Sequence, residues 1–164
     1  MRSYVPVLAA LVLLIPATGR AQRVEIFGGY SYLRLDSAGG VNLNGWNAAL
    51  NVKANSWLGL AADFSGHYGS PFGPSTSQHT FLVGPQLSFP ARVSPFVHAL
   101  VGGARTSTAG VTDTSFAAAL GGGIDSHVAP FLAYRLFQVD YLLTRFGGIT
   151  QNDVRVSTGL VIRF

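Results

Sequence analysis

The chain has 164 residues, no cysteine and a formal net charge of +4, and only 11% of its residues are charged. Soluble domains carry about 25% charged residues, so the composition argues against a fully water-exposed surface. A few arginines with few acids give no basis for nucleic-acid binding, and the lack of cysteine excludes a disulfide framework.

Residues 1–21 have the features of a secretory signal peptide. A positive charge at Arg2 is followed by an apolar stretch over residues 5–17 and by small residues before a cleavage site after Ala21. The stretch is short and interrupted by proline, so an N-terminal anchor helix is the weaker alternative. Cleavage removes two arginines, lowers the net charge from +4 to +2 and leaves a single domain, residues 22–164.

Beyond the signal peptide, segments of alternating apolar and polar residues recur with turn-forming residues between them. In the first segment Val24 and Ile26 share one face, whereas Glu25 lies on the other. Period-two alternation is typical of strands with one apolar face. Eight such segments are present, beginning near residues 24, 44, 57, 81, 95, 114, 137 and 154.

An exported, apolar chain without a further run able to form a spanning helix must satisfy its backbone hydrogen bonds in another way. A closed β-barrel does so in lipid, because every strand pairs on both sides. The short connections cover residues 55–56, 90–95 and 126–130, and the longer ones 36–43, 67–78, 106–113 and 145–153. This alternation is typical of outer-membrane barrels. The sequence therefore predicts an all-β fold, an eight-stranded antiparallel up-and-down transmembrane barrel with its longer loops outside and its short turns in the periplasm.

Charge predicts which face of each strand meets lipid. An arginine on the lipid face at the membrane centre costs about 2–4 kcal/mol, whereas the lumen can hydrate or pair it. Strand order places Glu25 between Lys53 and Arg163 near the turns. Farther from the turns it places Asp140 beside Arg155, with Asp63 farther round the barrel. The expected lumen charge network comprises Glu25, Lys53, Asp63, Asp140, Arg155 and Arg163.

Aromatic residues gather near both ends of the predicted strands, as in the interfacial girdles of membrane barrels. The girdle at the loop end comprises Tyr30, Tyr32, Trp46, Tyr68 and Tyr141, and that at the turn end Trp57, Phe89, Phe96, Phe131 and Phe164. Two residues fit the alternation poorly. We expect Arg135 to reach the periplasmic rim or to lie beside a bulge, and we expect a bulge at Pro85.

The last segment ends with Ser157, Gly159, Ile162 and Phe164, spaced as polar–x–Gly–x–x–apolar–x–aromatic. This spacing resembles the C-terminal β-signal of outer-membrane proteins, which the barrel assembly machinery recognises in that family. With the opening "GGYSYLR", the eight segments resemble the small OmpA-type β-barrel domain family of the Gram-negative cell envelope. The resemblance implies an outer-membrane location, surrounding outer-membrane lipid and the assembly machinery as a partner during biogenesis. The peptidoglycan-binding domain of full-length OmpA proteins has no counterpart here, so tethering to the cell wall is not implied.

The histidines and glycines give no catalytic pattern. Some barrels of this size act on lipid A with a serine two positions after a histidine, and none of the four histidines has one. His67 and His79 flank one loop, but zinc takes a third or fourth ligand. The glycine pairs lack the Lys-Ser/Thr of a phosphate-binding loop. We therefore expect no enzyme, no cofactor and no metal site.

Three functions remain open on the sequence. The first is a structural or interaction barrel whose outer loops meet unidentified partners, the second is a narrow porin-like pore, and the third is a soluble lipocalin-like ligand binder. The sparse charge disfavours the third. A lumen only wide enough for side chains and crossed by ion pairs disfavours the second. We expect the first, as a monomer.

Overall fold

A computed structural model describes residues 23–36, 39–70 and 73–164, apart from the side chain of Phe146. It contains eight strands: β1 (Val24–Leu35), β2 (Val41–Lys53), β3 (Leu58–Gly69), β4 (Thr76–Ser88), β5 (Val93–Thr108), β6 (Val111–Ala129), β7 (Leu132–Phe146) and β8 (Ile149–Arg163). Each strand pairs antiparallel with the next, and β8 pairs with β1. The predicted closed eight-stranded barrel is confirmed. The expected signal peptide, residues 1–21, lies outside the described residues.

The two ends of the barrel differ in the connections they carry. The turn end holds residues 54–57, 89–92 and 130–131 together with Arg23 and Phe164. Among the described residues, the loop end holds 36, 39–40, 70, 73–75, 109–110 and 147–148. Within the described part of the chain, no helix has the length and apolar character needed to cross a membrane.

The sequence predicts long loops over residues 106–113 and 145–153, and both predictions are wrong. Each of these ranges holds a two-residue turn between strands that continue into the expected loop, and the turns are Ala109-Gly110 and Gly147-Gly148. Positive φ angles at all four residues give hairpin turns whose twist matches that of the paired strands. Threonine is a good strand former, so the polar stretch after Ala104 pairs instead of looping, with Thr106 opposite Asp113.

The irregular positions also differ from expectation. The expected bulge at Pro85 is wrong: Pro85 lies opposite Leu60 of β3, and the pairing with β5 pauses there and resumes in the same register. The missing N–H of proline therefore interrupts a ladder without shifting it. Arg135 does lie beside a bulge, between Arg135 and Gln138, where β7 slips relative to β8. Its side chain is buried in the lumen and does not reach the rim.

Alternation along the strands separates a filled interior from an apolar exterior. Leucines such as Leu33, Leu43, Leu82 and Leu142 point inward and have no exposed surface. A second, smaller apolar cluster contains Phe27, Ala133 and Val161. Large apolar side chains remain exposed outside on every strand. This apolar belt includes Ile26, Trp46, Leu60, Leu87, Val97, Leu120, Val139 and Leu160.

Candidate functional site

A group of charged side chains fills the lumen near the turn end. Strand pairing places Glu25 of β1 directly opposite Arg163 of β8, with Lys53 of β2 close on the other side. Oε1 of Glu25 lies 2.8 Å from Nζ of Lys53 and 2.8 Å from Nε of Arg163. Nδ2 of Asn51 donates a hydrogen bond of 3.1 Å to the other carboxylate oxygen. The structure thus brings these three predicted residues together on neighbouring strands.

The second ion cluster lies deeper in the lumen, around the fully buried Arg155. Its Nη2 lies 2.6 Å from Oδ2 of Asp140, and its Nη1 lies 2.7 Å from Oδ1 of Asp63. Asp63 lies on β3, farther round the barrel as expected, and its contact with Arg155 across the lumen is one that strand order alone does not predict. An eight-stranded lumen is narrow enough for one arginine side chain to reach from β8 across to β3.

Neutral and histidine side chains complete this inner cluster. Nε2 of His98 lies 2.7 Å from Oδ1 of Asp140, and Nε2 of Gln138 donates a 2.7 Å hydrogen bond to Oδ2 of the same carboxylate. Nδ2 of Asn47 donates to Oδ2 of Asp63 at 2.9 Å. Sequence reasoning missed the roles of these three residues, although each lies on the inward face of its strand. That shared parity with the buried charges was the signal available.

Arg135 connects the two ion clusters. Its Nε donates a 2.8 Å hydrogen bond to Asp125 of β6, and its Nη1 donates a 2.6 Å hydrogen bond to Gln138. The guanidinium carbon lies 4.3 Å from the ring centroid of Phe27 and 4.2 Å from that of Phe96. Both are cation–π distances. Nη2 of Arg163 lies 3.8 Å from Oδ2 of Asp125, so a series of polar contacts runs from the turn end through Arg135 and Gln138 to Asp140 and Arg155.

Phe96 is wrongly assigned to the lipid-facing girdle by the sequence. It has the same parity as the inward residues Ser94 and His98, and only 3% of its surface is exposed. The other girdle residues on the turn side lie on the surface, as do most on the loop side, and Tyr32 is half-buried. The exposed ones are Tyr30, Trp46, Trp57, Tyr68, Phe89, Phe131, Tyr141 and Phe164.

The residues of the expected assembly signal lie on the strand that closes the barrel. Ser157 points inward, where its Oγ lies 2.9 Å from Oγ of Ser31, and Gly159 stands opposite Gly29. Ile162 and Phe164 point outward. The backbone N–H of Phe164 donates a 2.9 Å hydrogen bond to the carbonyl of Val24, so the end of β8 is held against β1.

The arrangement of these side chains fills the lumen with ion pairs and offers no metal centre in the described ranges. No three His, Cys, Asp or Glu side chains there lie close enough together to hold a metal ion. The fully buried ions and leucines leave the middle of the barrel closed to solvent. Chemically, the interior is suited to holding eight strands together.

Comparisons with known proteins agree on the fold. No protein-family model matches the sequence, and a comparison with curated proteins finds no match either. Ail, the attachment invasion locus protein of Yersinia pestis, is 17% identical and superposes with a TM-score of 0.60 over 88% of this chain and 100% of its own. Neisserial surface protein A is 15% identical, with a TM-score of 0.61 over 86% of this chain and 94% of its own.

OprG from Pseudomonas aeruginosa is also similar, at 12% identity and a TM-score of 0.60 over 88% of this chain and 97% of its own. At these identities the likeness shows the fold alone. It is the closed eight-stranded barrel of small outer-membrane proteins.

Proposed function

We propose that the chain is an outer-membrane β-barrel with a structural or surface-interaction role and no enzymatic activity. The apolar belt carries this proposal, because exposed apolar side chains surround the part of the barrel whose strand charges are buried in the lumen. The exposed strand charges lie near the loop end; they are Arg34, Arg105, Asp113 and Arg145. Each Å² of the belt that lipid removes from water contributes about 25 cal/mol. A soluble lipocalin-like binder would need a polar exterior instead. The fold shared with small outer-membrane proteins supports the same location.

A free strand edge at the loop end supports the surface-interaction part of the proposal. Pairing between β6 and β7 begins at Phe116 and Arg145, so residues 111–115 of β6 pair with β5 on one side and with no described strand on the other. An unpaired edge presents N–H and C=O groups that another chain can join. The similar Ail is described as an attachment invasion locus protein.

The proposed orientation places the loop end outside the cell and the turn end in the periplasm. It can be tested by thiol labelling, because the chain has no native cysteine. Ser75→Cys and Ala109→Cys at the loop end are expected to react with a membrane-impermeant maleimide on intact cells. Ser56→Cys and Ala91→Cys at the turn end are expected to react only after the outer membrane is permeabilised. All four positions are exposed, so accessibility of the compartment decides the result. Labelling of the turn-end pair alone on intact cells would show the opposite orientation.

The porin-like alternative predicts conductance, which we do not expect. Arg155, Leu33 and Leu142 fill the lumen and have no exposed surface, so the described interior is packed with side chains instead of lining a water-filled channel. Purified protein in planar bilayers is therefore expected to give no steady current, with a large trimeric porin as the positive control. Steady, ion-selective single-channel currents from the wild-type protein would replace the structural proposal with a pore.

The assembly role proposed for the C-terminal motif predicts a specific defect. Phe164→Ala is expected to lower the amount of barrel inserted in cells much more than it changes the stability of barrel already folded in detergent. Phe131→Ala is the matched control, since Phe131 is also an exposed aromatic residue at the turn end. Heat-modifiable gel mobility of membrane fractions measures insertion. Equal insertion of the two variants would remove the assembly role from Phe164.

A further inference from the structure

The excess positive charge of the described chain is confined to one end of the barrel. The loop end carries three arginines and three aspartates, which balance in charge: Arg34, Arg105 and Arg145, and Asp36, Asp113 and Asp153. In the middle, two aspartates outnumber Arg155. At the turn end, five cations face only Glu25 and Asp125; they are Arg23, Lys53, Arg92, Arg135 and Arg163. The turn end is therefore the basic end.

A recess of about 680 Å³ opens at this end of the barrel. Its lining includes four of the five cations and one acid: Arg23, Lys53, Arg92, Arg163 and Glu25. The cations therefore outnumber the acid in the lining. Asp125 and Arg135 lie deeper, where they pair with each other. The recess is thus a basic cup with a closed floor.

Two of these cations are without a carboxylate partner among the described residues. Lys53 and Arg163 share Glu25, whereas neither Arg23 nor Arg92 makes an ion pair there. Both free arginines nevertheless have anchored backbones. The carbonyl of Arg23 accepts a 2.9 Å hydrogen bond from the N–H of Lys53.

The carbonyl of Arg92 accepts a 3.0 Å hydrogen bond from the backbone N–H of His127. The same carbonyl oxygen lies 2.9 Å from Nδ1 of the His127 ring. This contact ties the β4–β5 turn to the end of β6. The backbone of each arginine is therefore held at the recess, so that only the exposed side chains have to be ordered around a ligand.

We propose that this recess binds a soluble phosphate-like oxyanion. Guanidinium groups match phosphate oxygens in a bidentate manner, and converging cations in a walled recess concentrate anions. The cup lies inside the ring of strands, so the headgroups of the surrounding lipid are less suited to it than a soluble anion. The closed floor favours retention over passage. With the orientation proposed above, the cup faces the periplasm; the binding itself does not depend on that orientation.

The proposal is tested by titrating the full barrel with pyrophosphate, in non-ionic detergent at low salt. Calorimetry measures the heat of binding and gives the affinity and the stoichiometry. The wild type is expected to bind one equivalent saturably. Arg23→Gln combined with Arg92→Gln is expected to weaken binding about tenfold or more, because two charge-assisted contacts are lost. Arg34→Gln combined with Arg145→Gln removes the same charge from the loop end and is expected to change affinity by less than about twofold.

An equal loss in both double variants, or no saturable binding by the wild type, would overturn the proposal. A nuclear magnetic resonance titration of the wild type checks the location without any substitution. Pyrophosphate is expected to shift the backbone amides of Arg92, Ser94 and Arg163, and to leave those around Ala109 unchanged. Saturable binding of a short-chain anionic phospholipid, with none of pyrophosphate, would contradict the soluble ligand and assign the cup to lipid.

Discussion

Arg155→Met is expected to lower the free energy of unfolding by about 3–5 kcal/mol, which is the usual cost of removing one partner of a buried ion pair. Arg155 has no exposed surface and contacts both Asp63 and Asp140. Methionine fills part of the space but leaves two carboxylates buried without their shared cation. Urea unfolding in detergent micelles or vesicles, followed by tryptophan fluorescence and gel mobility, measures the loss.

Two further variants separate ion pairing from lost packing. Arg145→Met changes an exposed arginine at the loop end and is expected to stay within about 0.5 kcal/mol of the wild type. Combining Arg155→Met with Asp63→Asn and Asp140→Asn removes all three charges, and is expected to recover much of the loss. If Arg155→Met alone is as stable as Arg145→Met, the buried ion cluster contributes nothing to folding.

Val97→Arg is expected to destabilise the barrel in phospholipid vesicles by about 2–4 kcal/mol. Val97 belongs to the apolar belt, four residues into β5 from the turn end, and its side chain is 54% exposed on the outer face. A charge at that height must leave water and enter hydrocarbon. Reversible unfolding from preformed vesicles gives the free energy.

Val111→Arg is the matched control for Val97→Arg. Val111 begins β6 at the loop end and is 73% exposed, beyond the apolar belt. The same substitution is expected to cost about 0–1 kcal/mol there, because the arginine stays near water. A small cost at both positions would mean that the outer face of the barrel is in contact with water, and it would favour the soluble lipocalin-like alternative.

Alternation and charge were enough to predict the barrel from the sequence. An inward Glu25 beside an outward Ile26 sets the face of β1, and the same parity rule holds along β8. Ion pairs between adjacent strands, such as Glu25 with Arg163, also follow, because strand order alone decides which residues are neighbours.

Contacts across the lumen could not be predicted in the same way. Arg155 on β8 reaches Asp63 on β3, and His98 on β5 reaches Asp140 on β7, although neither pair of strands is adjacent. Such contacts depend on the diameter of the closed barrel and on the length of each side chain. Neither quantity is present in a pattern of period two.

Predictions from the sequence fail locally where two signals compete. The aromatic type of Phe96 and its place near a turn favour the lipid-facing girdle, whereas its strand parity points it inward. The polarity of residues 106–113 favours a loop, although threonine pairs well in strands and the Ala109-Gly110 turn needs only two residues. Parity and turn chemistry outweigh composition at both sites.

The contact of Arg155 with both Asp63 and Asp140 has a consequence for the timing of barrel closure. Arg155 belongs to the final strand, whereas Asp63 belongs to the third, so the three charges meet only once the seam between β1 and β8 is sealed. The Asp140–Arg155 pair joins adjacent strands and needs only the β7–β8 hairpin, whereas the contact of Arg155 with Asp63 needs the closed barrel. The attraction between Arg155 and Asp63 is then missing from the folding transition state and slows the opening of the finished barrel. Loss of this contact in Arg155→Met is expected to speed opening more than it slows closing, so the contact across the lumen helps to set how long a folded barrel persists.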